Sequence, residues 1–147
     1  MLTEGISRAV DLPITCDVTT TQRGFVVVTA LYNSPMTEPA DVARAYFAGV
    51  TAHDPDAIQA CFADDAELVT NTGTYRGAEA IGGFYRDTLL QADDVRPDPG
   101  PLIVDGNRVA VEIDLLRGGR HIAVGDFFTI DSGKIRRLVI FFGSELA

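Results

Sequence analysis

The glycine pair at 118–119 joins two segments rich in β-branched residues and determines how those segments pair. The segments are residues 109–117 and 120–130, and a two-residue glycine turn between such segments is typical of a β-hairpin. In that register Val111 lies opposite Asp126. Because side chains alternate between the two faces of a strand, the sequence predicts an apolar face that contains one carboxylate. The predicted members of this face are Val109, Val111, Ile113, Leu115, Ile122, Val124, Asp126 and Phe128.

A second turn adds a third strand to this sheet. Residues 131–133, Asp-Ser-Gly, suit a three-residue loop with a bulge, and the resulting register brings further apolar residues onto the same face. A carboxylate among them costs free energy unless it is protonated, hydrogen-bonded or required for chemistry. We therefore expect Asp126 to be functional and its pKa to exceed the ~3.9 of a free aspartate. The residues that the third strand adds to the face are Leu138, Ile140 and Phe142.

The chain before these strands shows helical spacing in three places. Thr37 is a predicted N-cap for a first helix, and Asp54-Pro55 begins a short second helix that runs through Phe62. A strand is predicted at 65–72, a turn at 73–77 and a loop at 93–101, and Gly82-Gly83 in the third helix indicates close packing. The apolar stripes of the first and third helices are Val42, Ala45, Tyr46, Gly49, Val50 and Ile81, Phe84, Tyr85, Thr88, Leu89.

Helices grouped before antiparallel strands predict an α+β fold. We expect a cone-shaped domain at 36–147, with a curved antiparallel sheet wrapped around three N-terminal helices and a pocket at the open end. Gly125 marks the expected bend of the sheet. Residues 1–35 are predicted to form an N-terminal extension, either loosely ordered or adding an edge strand. The alternative is that translation begins at Met36.

Composition excludes several classes of partner. The formal net charge of −9 disfavours nucleic acids and anionic membranes as partners. The cysteines, Cys16 and Cys61, and the histidines, His53 and His121, lack the spacing of metal ligands. We therefore expect no metal and no cofactor, and a cytoplasmic location with free thiols, with one disulfide between the two cysteines as the alternative. Arg76 and Arg120 are predicted to be solvated, with an anionic substrate at the pocket mouth as the alternative.

Several motifs between residues 37 and 143 occur together in a known group of proteins. They are Tyr46, His53-Asp54-Pro55-Asp56-Ala57, Cys61-Phe62-Ala63-Asp64-Asp65-Ala66, Tyr75-Arg76-Gly77, Phe84-Tyr85-Arg86, Gly125-Asp126-Phe127-Phe128 and Gly133-Lys134-Ile135. The pattern resembles the nuclear-transport-factor-2-like superfamily, and within it SnoaL-like proteins and ketosteroid isomerases. Because this superfamily includes both enzymes and binders, the resemblance implies the fold more specifically than the activity.

The resemblance to ketosteroid isomerases implies roles for single residues. Tyr46 matches their oxyanion-hole tyrosine, Asp126 their protonated aspartic acid, and Tyr85 a second tyrosine that hydrogen-bonds the first. Phe62 replaces a third tyrosine, and Thr70 stands where those enzymes carry the aspartate that acts as base. Since a hydroxyl cannot replace that carboxylate, we do not expect ketosteroid isomerisation by the mechanism of those enzymes.

Two other groups in the superfamily suggest different chemistry. In SnoaL-like cyclases an aspartate similar to Asp126 is the acid and base, which leaves Tyr46 to orient a substrate oxygen. Limonene-epoxide-hydrolase relatives use an Asp-Arg-Asp set. Here Asp114 roughly matches one aspartate, but Glu112 stands in place of the arginine and Ile140 in place of the last aspartate. The alternation of side chains also places Asp114 on the outer face of the sheet. We therefore do not expect an epoxide hydrolase.

Two hypotheses of function follow. The first is an isomerase or cyclase acting on an apolar carbonyl compound, with Asp126 and Tyr46 as catalytic residues. The second is a non-catalytic binder of a small hydrophobic ligand, or a dimerisation module. A homodimer is expected through the outer sheet face, which carries Leu116, Phe127, Val139 and Phe141. The predicted ligand-binding residues are Val50, Leu68, Thr70, Phe84, Tyr85, Val111, Ile113, Val124, Phe128, Leu138 and Ile140, with Ile81 also expected at the cavity.

Overall fold

The computed structural model describes residues 38–146, which form three helices and a sheet of seven strands. The predicted extension at 1–35 and the predicted cap Thr37 lie outside the described residues. The helices are α1 (Pro39–Thr51), α2 (Pro55–Ala60) and α3 (Ala78–Gln91). The strands are β1 (Phe62–Thr70), β2 (Gly73–Arg76), β3 (Arg96–Pro99), β4 (Ile103–Asp105), β5 (Arg108–Arg117), β6 (Arg120–Asp131) and β7 (Lys134–Glu145).

The expected α+β fold with a curved sheet is confirmed, but the sheet is mixed rather than fully antiparallel. Its strand order is β2-β1-β7-β6-β5-β3, with β4 also pairing with β5. The β1–β7 pair is parallel. A tight turn forces antiparallel pairing, whereas β1 and β7 are joined by a long connection that leaves their relative direction to tertiary packing.

The register of the long strands follows the prediction. Val111 pairs with Asp126 across β5 and β6, and Asp126 pairs with Ile140 of β7. Gly118 and Gly119 have φ of 61° and 74°, as a type I′ turn requires. The second turn is shorter than predicted, because Asp131 pairs with Lys134 and leaves only two residues between them. Its bulge lies inside the strand instead, between Thr129 and Ile130.

The predicted bend of the sheet at Gly125 has no counterpart in the register of the strands. The β6–β7 register shifts lie on either side of Gly125, between Ile122 and Val124 and between Thr129 and Ile130. An added residue in one strand increases the local bend and twist, so these two irregularities contribute to the curvature of the sheet.

Several predicted boundaries are wrong. The segment 73–77 is strand β2 followed by Gly77, the N-cap of α3, and its Gly73 pairs with Thr70 of β1. The segment 93–101 contains strand β3, which tolerates its prolines because it is an edge strand. Helix α2 ends at Ala60, and β1 begins at Phe62 because Phe62 already pairs with Ile135 of β7. The N-cap of α1 is Glu38, without a side-chain hydrogen bond.

The helices pack on the apolar face of the sheet and bury its centre. Phe128, Leu68 and Leu138 are fully buried, together with Val42 of α1 and Ile81 of α3. The helices therefore cover one end of the inner face of the sheet and leave the other end for a cavity.

Among residues 38–146 no helix is long and apolar enough to cross a membrane.

Candidate functional site

Asp126 is the buried acid of the domain. Its side chain is 2% exposed, and it is the one buried polar or charged residue among those that the structure describes. Within residues 38–146 its Oδ1 atom has no hydrogen-bond partner. Burial raises the pKa of Asp126 to about 8, in the direction that the sequence predicts. The carboxyl group is therefore mostly protonated at neutral pH, and one of its oxygens is left without a hydrogen bond among the described residues.

Two tyrosines lie near this carboxyl group. The hydroxyl oxygens of Tyr46 and Tyr85 are 2.6 Å apart and hydrogen-bonded, which the resemblance implies. Burial raises the pKa of both hydroxyls, and the nearby charge of Asp126 raises each further. No hydrogen bond joins Tyr46 to Asp126, so the hydroxyl that was expected to act beside Asp126 is engaged with Tyr85 instead.

Aromatic packing holds Tyr46 in place. Its ring meets Phe128 edge-on with centroids 5.4 Å apart, and Phe62 edge-on at 6.2 Å. Edge-to-face contacts of this kind add specific geometry to the burial of the rings. Phe62, which the resemblance matches to a tyrosine of ketosteroid isomerases, thus packs against Tyr46 without adding a hydroxyl.

A cavity of about 920 Å³ borders these polar groups. This volume is in the range of pockets that hold drug-sized ligands. Nine predicted site residues line it, and Phe47, Tyr75, Val95, Pro97, Leu115, Ile122 and Phe142 add to its apolar wall. The nine are Tyr46, Val50, Thr70, Phe84, Tyr85, Ile113, Val124, Asp126 and Ile140.

The other predicted ligand-binding residues do not line the cavity. Leu68, Val111, Phe128 and Leu138 face the same side of the sheet but are buried in the core, as is Ile81. The aromatic rings of α1 cover this end of the face, with the centroids of Phe47 and Phe128 only 5.8 Å apart. The alternation of side chains along the strands identifies the correct face of the sheet. The position of α1 then determines which part of that face lines the cavity.

Thr70, which the resemblance matches to the base aspartate of ketosteroid isomerases, has a hydroxyl that is already engaged. The Oγ1 atom donates to the carbonyl oxygen of Gly73 at 3.2 Å and lies 3.1 Å from the Oγ1 atom of Thr72. This hydroxyl therefore supports the β1–β2 turn. Among the described residues, Asp126 is the one buried carboxyl group that lines the cavity.

The rim of the cavity contains polar residues that the sequence analysis did not propose. They include Arg117 at the end of β5 and Asp87 on α3. The signal for Arg117 was present, since it follows Ile113 and Leu115 on the same alternating face. The full set is Asn71, Thr72, Asp87, Thr88, Gln91 and Arg117.

The arginines considered at the mouth lie elsewhere. Arg76 forms an ion pair with Glu67 at 2.9 Å, and Arg120 forms one with Glu145 at 3.3 Å. Both side chains are mostly exposed, and neither lines the cavity. Arg76 and Arg120 therefore agree with the prediction of solvated surface side chains and not with the alternative of contact with an anionic substrate.

The two histidines have structural contacts. The Nε2 atom of His53 lies 2.8 Å from the backbone oxygen of Val95 and donates to it, which ties the α1–α2 turn to the segment before β3. His121 contacts Asp114 at 2.8 Å on the outer face. In the described part of the chain no three His, Cys, Asp or Glu side chains form a group that could hold a metal ion.

The comparisons with known proteins agree with this geometry. The profile of the SnoaL-like domain family matches residues 43–138. A solved structure of a candidate polyketide cyclase from Sinorhizobium meliloti is 27% identical, covering 74% of this chain and 99% of that protein with a TM-score of 0.64. No curated protein matches the chain.

Two further solved structures share the fold at lower identity. A protein with a ketosteroid-isomerase-like fold from Catenulispora acidiphila, solved with trimethylamine, is 20% identical over 69% of this chain and 85% of that one, with a TM-score of 0.65. A candidate ketosteroid isomerase from Kribbella flavida is 19% identical over 74% and 80%, with a TM-score of 0.66.

Proposed function

Because the chain belongs to the family of SnoaL-like domains, we propose that its cavity binds a small, largely apolar carbonyl compound and that Asp126 transfers a proton during its conversion. The observation that carries the proposal is that Asp126 lines the cavity while its buried Oδ1 atom has no hydrogen-bond partner within residues 38–146. A buried acceptor or acid without a partner is costly in a folded protein unless a ligand or the reaction uses it.

The raised pKa of Asp126 suits this chemistry. A group with a pKa of about 8 is mostly an acid at pH 7, yet roughly a tenth of it is ionised and can act as a base. The neutral form donates a hydrogen bond to the carbonyl oxygen of a ligand. The ionised form removes a proton from the carbon next to that carbonyl, and the electron pair moves onto the oxygen to give an enolate.

A single carboxyl group can complete either of two reactions. In an isomerisation, Asp126 returns the same proton to a different carbon of the enolate. In a cyclisation, the enolate carbon attacks a second carbonyl of the same molecule, a carbon–carbon bond forms, and the new alkoxide takes the proton from Asp126. Both sequences leave Asp126 in its starting state, so the second carboxylate that Thr70 replaces is not required.

The tyrosine pair supplies a further donor. One of the two hydroxyls donates to the other, so the proton of the second remains free for an acceptor. Tyr46 and Tyr85 both line the cavity, as Asp126 does, and a ligand oxygen is an acceptor that would satisfy that proton. This arrangement stabilises negative charge on the oxygen of an enolate.

The experiment measures proton transfer and binding separately. Fused-ring ketones are incubated with the protein in D₂O, and exchange of the hydrogens next to the carbonyl is followed by NMR. We expect the wild type to accelerate exchange and Asp126→Asn to lose that acceleration while keeping the thermal shift that the ketones cause. The exposed Asp98→Asn is the control for loss of one carboxylate. Equal exchange by wild type and Asp126→Asn would contradict the catalytic role.

A second candidate function is binding without catalysis. The engaged hydroxyl of Thr70 favours it, because the cavity then lacks the separate base of the related isomerases. Ligand-induced thermal shifts without any exchange by the wild type would support this alternative.

The free, buried thiol of Cys61 fits a reducing compartment, and we place either function in the cytoplasm.

A further inference from the structure

The cavity has a cation at one end. Arg117 is the one Lys, Arg or His side chain that lines the cavity within residues 38–146. It is the last residue of β5 and half-buried, and it faces the same side as Val111, the partner of Asp126. Arg117 follows Val111 by six positions, so their Cα atoms are about 20 Å apart along an extended strand, and the arginine side chain can shorten the distance to its charge. The cation and the buried acid therefore mark opposite ends of the cavity.

The charge of Arg117 has no protein partner in the described part of the chain. No carboxylate of residues 38–146 forms an ion pair with it, whereas Arg120, three residues later, is paired with Glu145. Asp87 also borders the cavity, but it is exposed and therefore well hydrated. A half-buried guanidinium gains more from an incoming anion than an exposed carboxylate gains from a cation, because water screens the buried charge less.

The strand end that carries Arg117 is held in place. The carboxylate of Asp94 accepts hydrogen bonds from the backbone N–H groups of Gly118 at 2.8 Å and Gly119 at 2.7 Å. These two bonds lower the pKa of Asp94, so it remains ionised and bound to the turn. Asp94 is thereby occupied with the turn, and the backbone from which Arg117 projects is anchored to the segment before β3.

We propose that Arg117 binds an anionic group of the ligand at the cavity mouth, and that the ligand is an elongated apolar keto acid. The inference rests on the proposed function, since it takes the carbonyl end of the ligand to lie at Asp126. A carboxylate matches the planar donors of a guanidinium in two parallel hydrogen bonds. The apolar wall between the two ends accommodates a body of several fused rings, longer than a single ring.

The experiment uses a matched pair of probes, 3-oxo-cholanoic acid and its methyl ester, which differ only in the charge at the end far from the ketone. Binding of each is measured by calorimetry to wild type, Arg117→Gln and Arg117→Lys. We expect the wild type to bind the acid about tenfold or more tightly than the ester, as loss of a hydrogen bond to a charged group predicts. Arg117→Gln should bind both probes equally, and Arg117→Lys should retain part of the preference.

The control is Arg120→Gln, which removes the same charge from an exposed, ion-paired site outside the cavity and should keep the preference for the acid. Raised salt should reduce the preference in the wild type and leave Arg117→Gln unchanged. Equal binding of acid and ester by the wild type would overturn the role of Arg117 while leaving the proposed function intact. Failure of both probes to bind would overturn the proposed function and this inference together.

Discussion

At the scale of single residues, the environment of Asp126 decides what its carboxyl group can do. Its strand neighbours are Val111 and Ile140, and neither can hydrogen-bond to it through a side chain. The tyrosine hydroxyls nearby are bonded to each other. Desolvation therefore governs the pKa of Asp126 without opposition from a hydrogen-bond donor, and the neutral acid is the more stable form at neutral pH.

This raised pKa predicts how stability depends on pH. The folded protein binds one more proton than the unfolded chain between the unfolded pKa of ~3.9 and the folded pKa of about 8. The free energy of unfolding of the wild type is highest below the unfolded pKa. It falls by at most about 1.4 kcal/mol per pH unit as the pH rises towards the folded pKa. Asp126→Asn cannot ionise, so we expect it to lack this decrease and to be the more stable protein at pH 8.

Urea denaturation of both proteins from pH 4 to 9 measures the difference. Asp98→Asn, which changes an exposed carboxylate, should stay parallel to the wild type across the range. A constant difference between Asp126→Asn and the wild type would contradict the raised pKa, as would an NMR titration of the Asp126 carboxyl carbon with a midpoint near 4.

At the scale of elements, glycines set how closely the helices approach one another. A Cβ atom at Gly49 of α1 would lie 2.9 Å from Cγ1 and 3.3 Å from the backbone nitrogen of Ile58 in α2. Ile58 is fully buried and cannot move aside. In α3 the predicted close packing holds for Gly82, whose Cβ would meet the side chain of Gln59, but Gly83 has open space around it.

This difference gives a matched pair of substitutions. Alanine is the better helix former by about 1 kcal/mol at both positions. Gly83→Ala should therefore raise the free energy of unfolding by up to about 1 kcal/mol. Gly49→Ala should lower it by about 1–2 kcal/mol, because overpacking against Ile58 exceeds the gain in propensity. Urea denaturation at one pH distinguishes the two, and an increase in stability for Gly49→Ala would contradict the tight α1–α2 contact.

At the scale of the whole molecule, the outer face of the sheet carries exposed aromatic rings. Phe127 is 43% exposed and Phe141 is 57% exposed, and their rings meet edge-on with centroids 5.8 Å apart. They lie on adjacent strands, since Phe127 pairs with Val139 and Gly125 with Phe141. Clustered apolar side chains on a sheet face that the helices leave uncovered are characteristic of a protein interface.

We expect this face to pair two copies of the chain at micromolar concentration. Sedimentation should then give twice the chain mass of 15.8 kDa, and Phe127→Glu should shift the protein towards the monomer because it places a charge in the apolar contact. Leu90→Glu, which changes an 84% exposed apolar residue on α3, is the control and should leave the mass unchanged. A wild type of monomer mass would refute the expected dimer.

The pairing of the long strands, and hence the inward position of Asp126, follows from local features of the sequence. A two-residue glycine turn is a local feature, and alternation then assigns every residue of β5 and β6 to a face. Which of the inward residues line the cavity depends instead on the packing of distant elements, because α1 covers Phe128 and leaves Ile113 at the cavity wall. Contacts between distant segments also set the parallel direction of β1 and β7 and join the hydroxyls of Tyr46 and Tyr85 across 39 residues of sequence. No local pattern specifies such contacts, since they depend on how whole elements pack once the chain has folded.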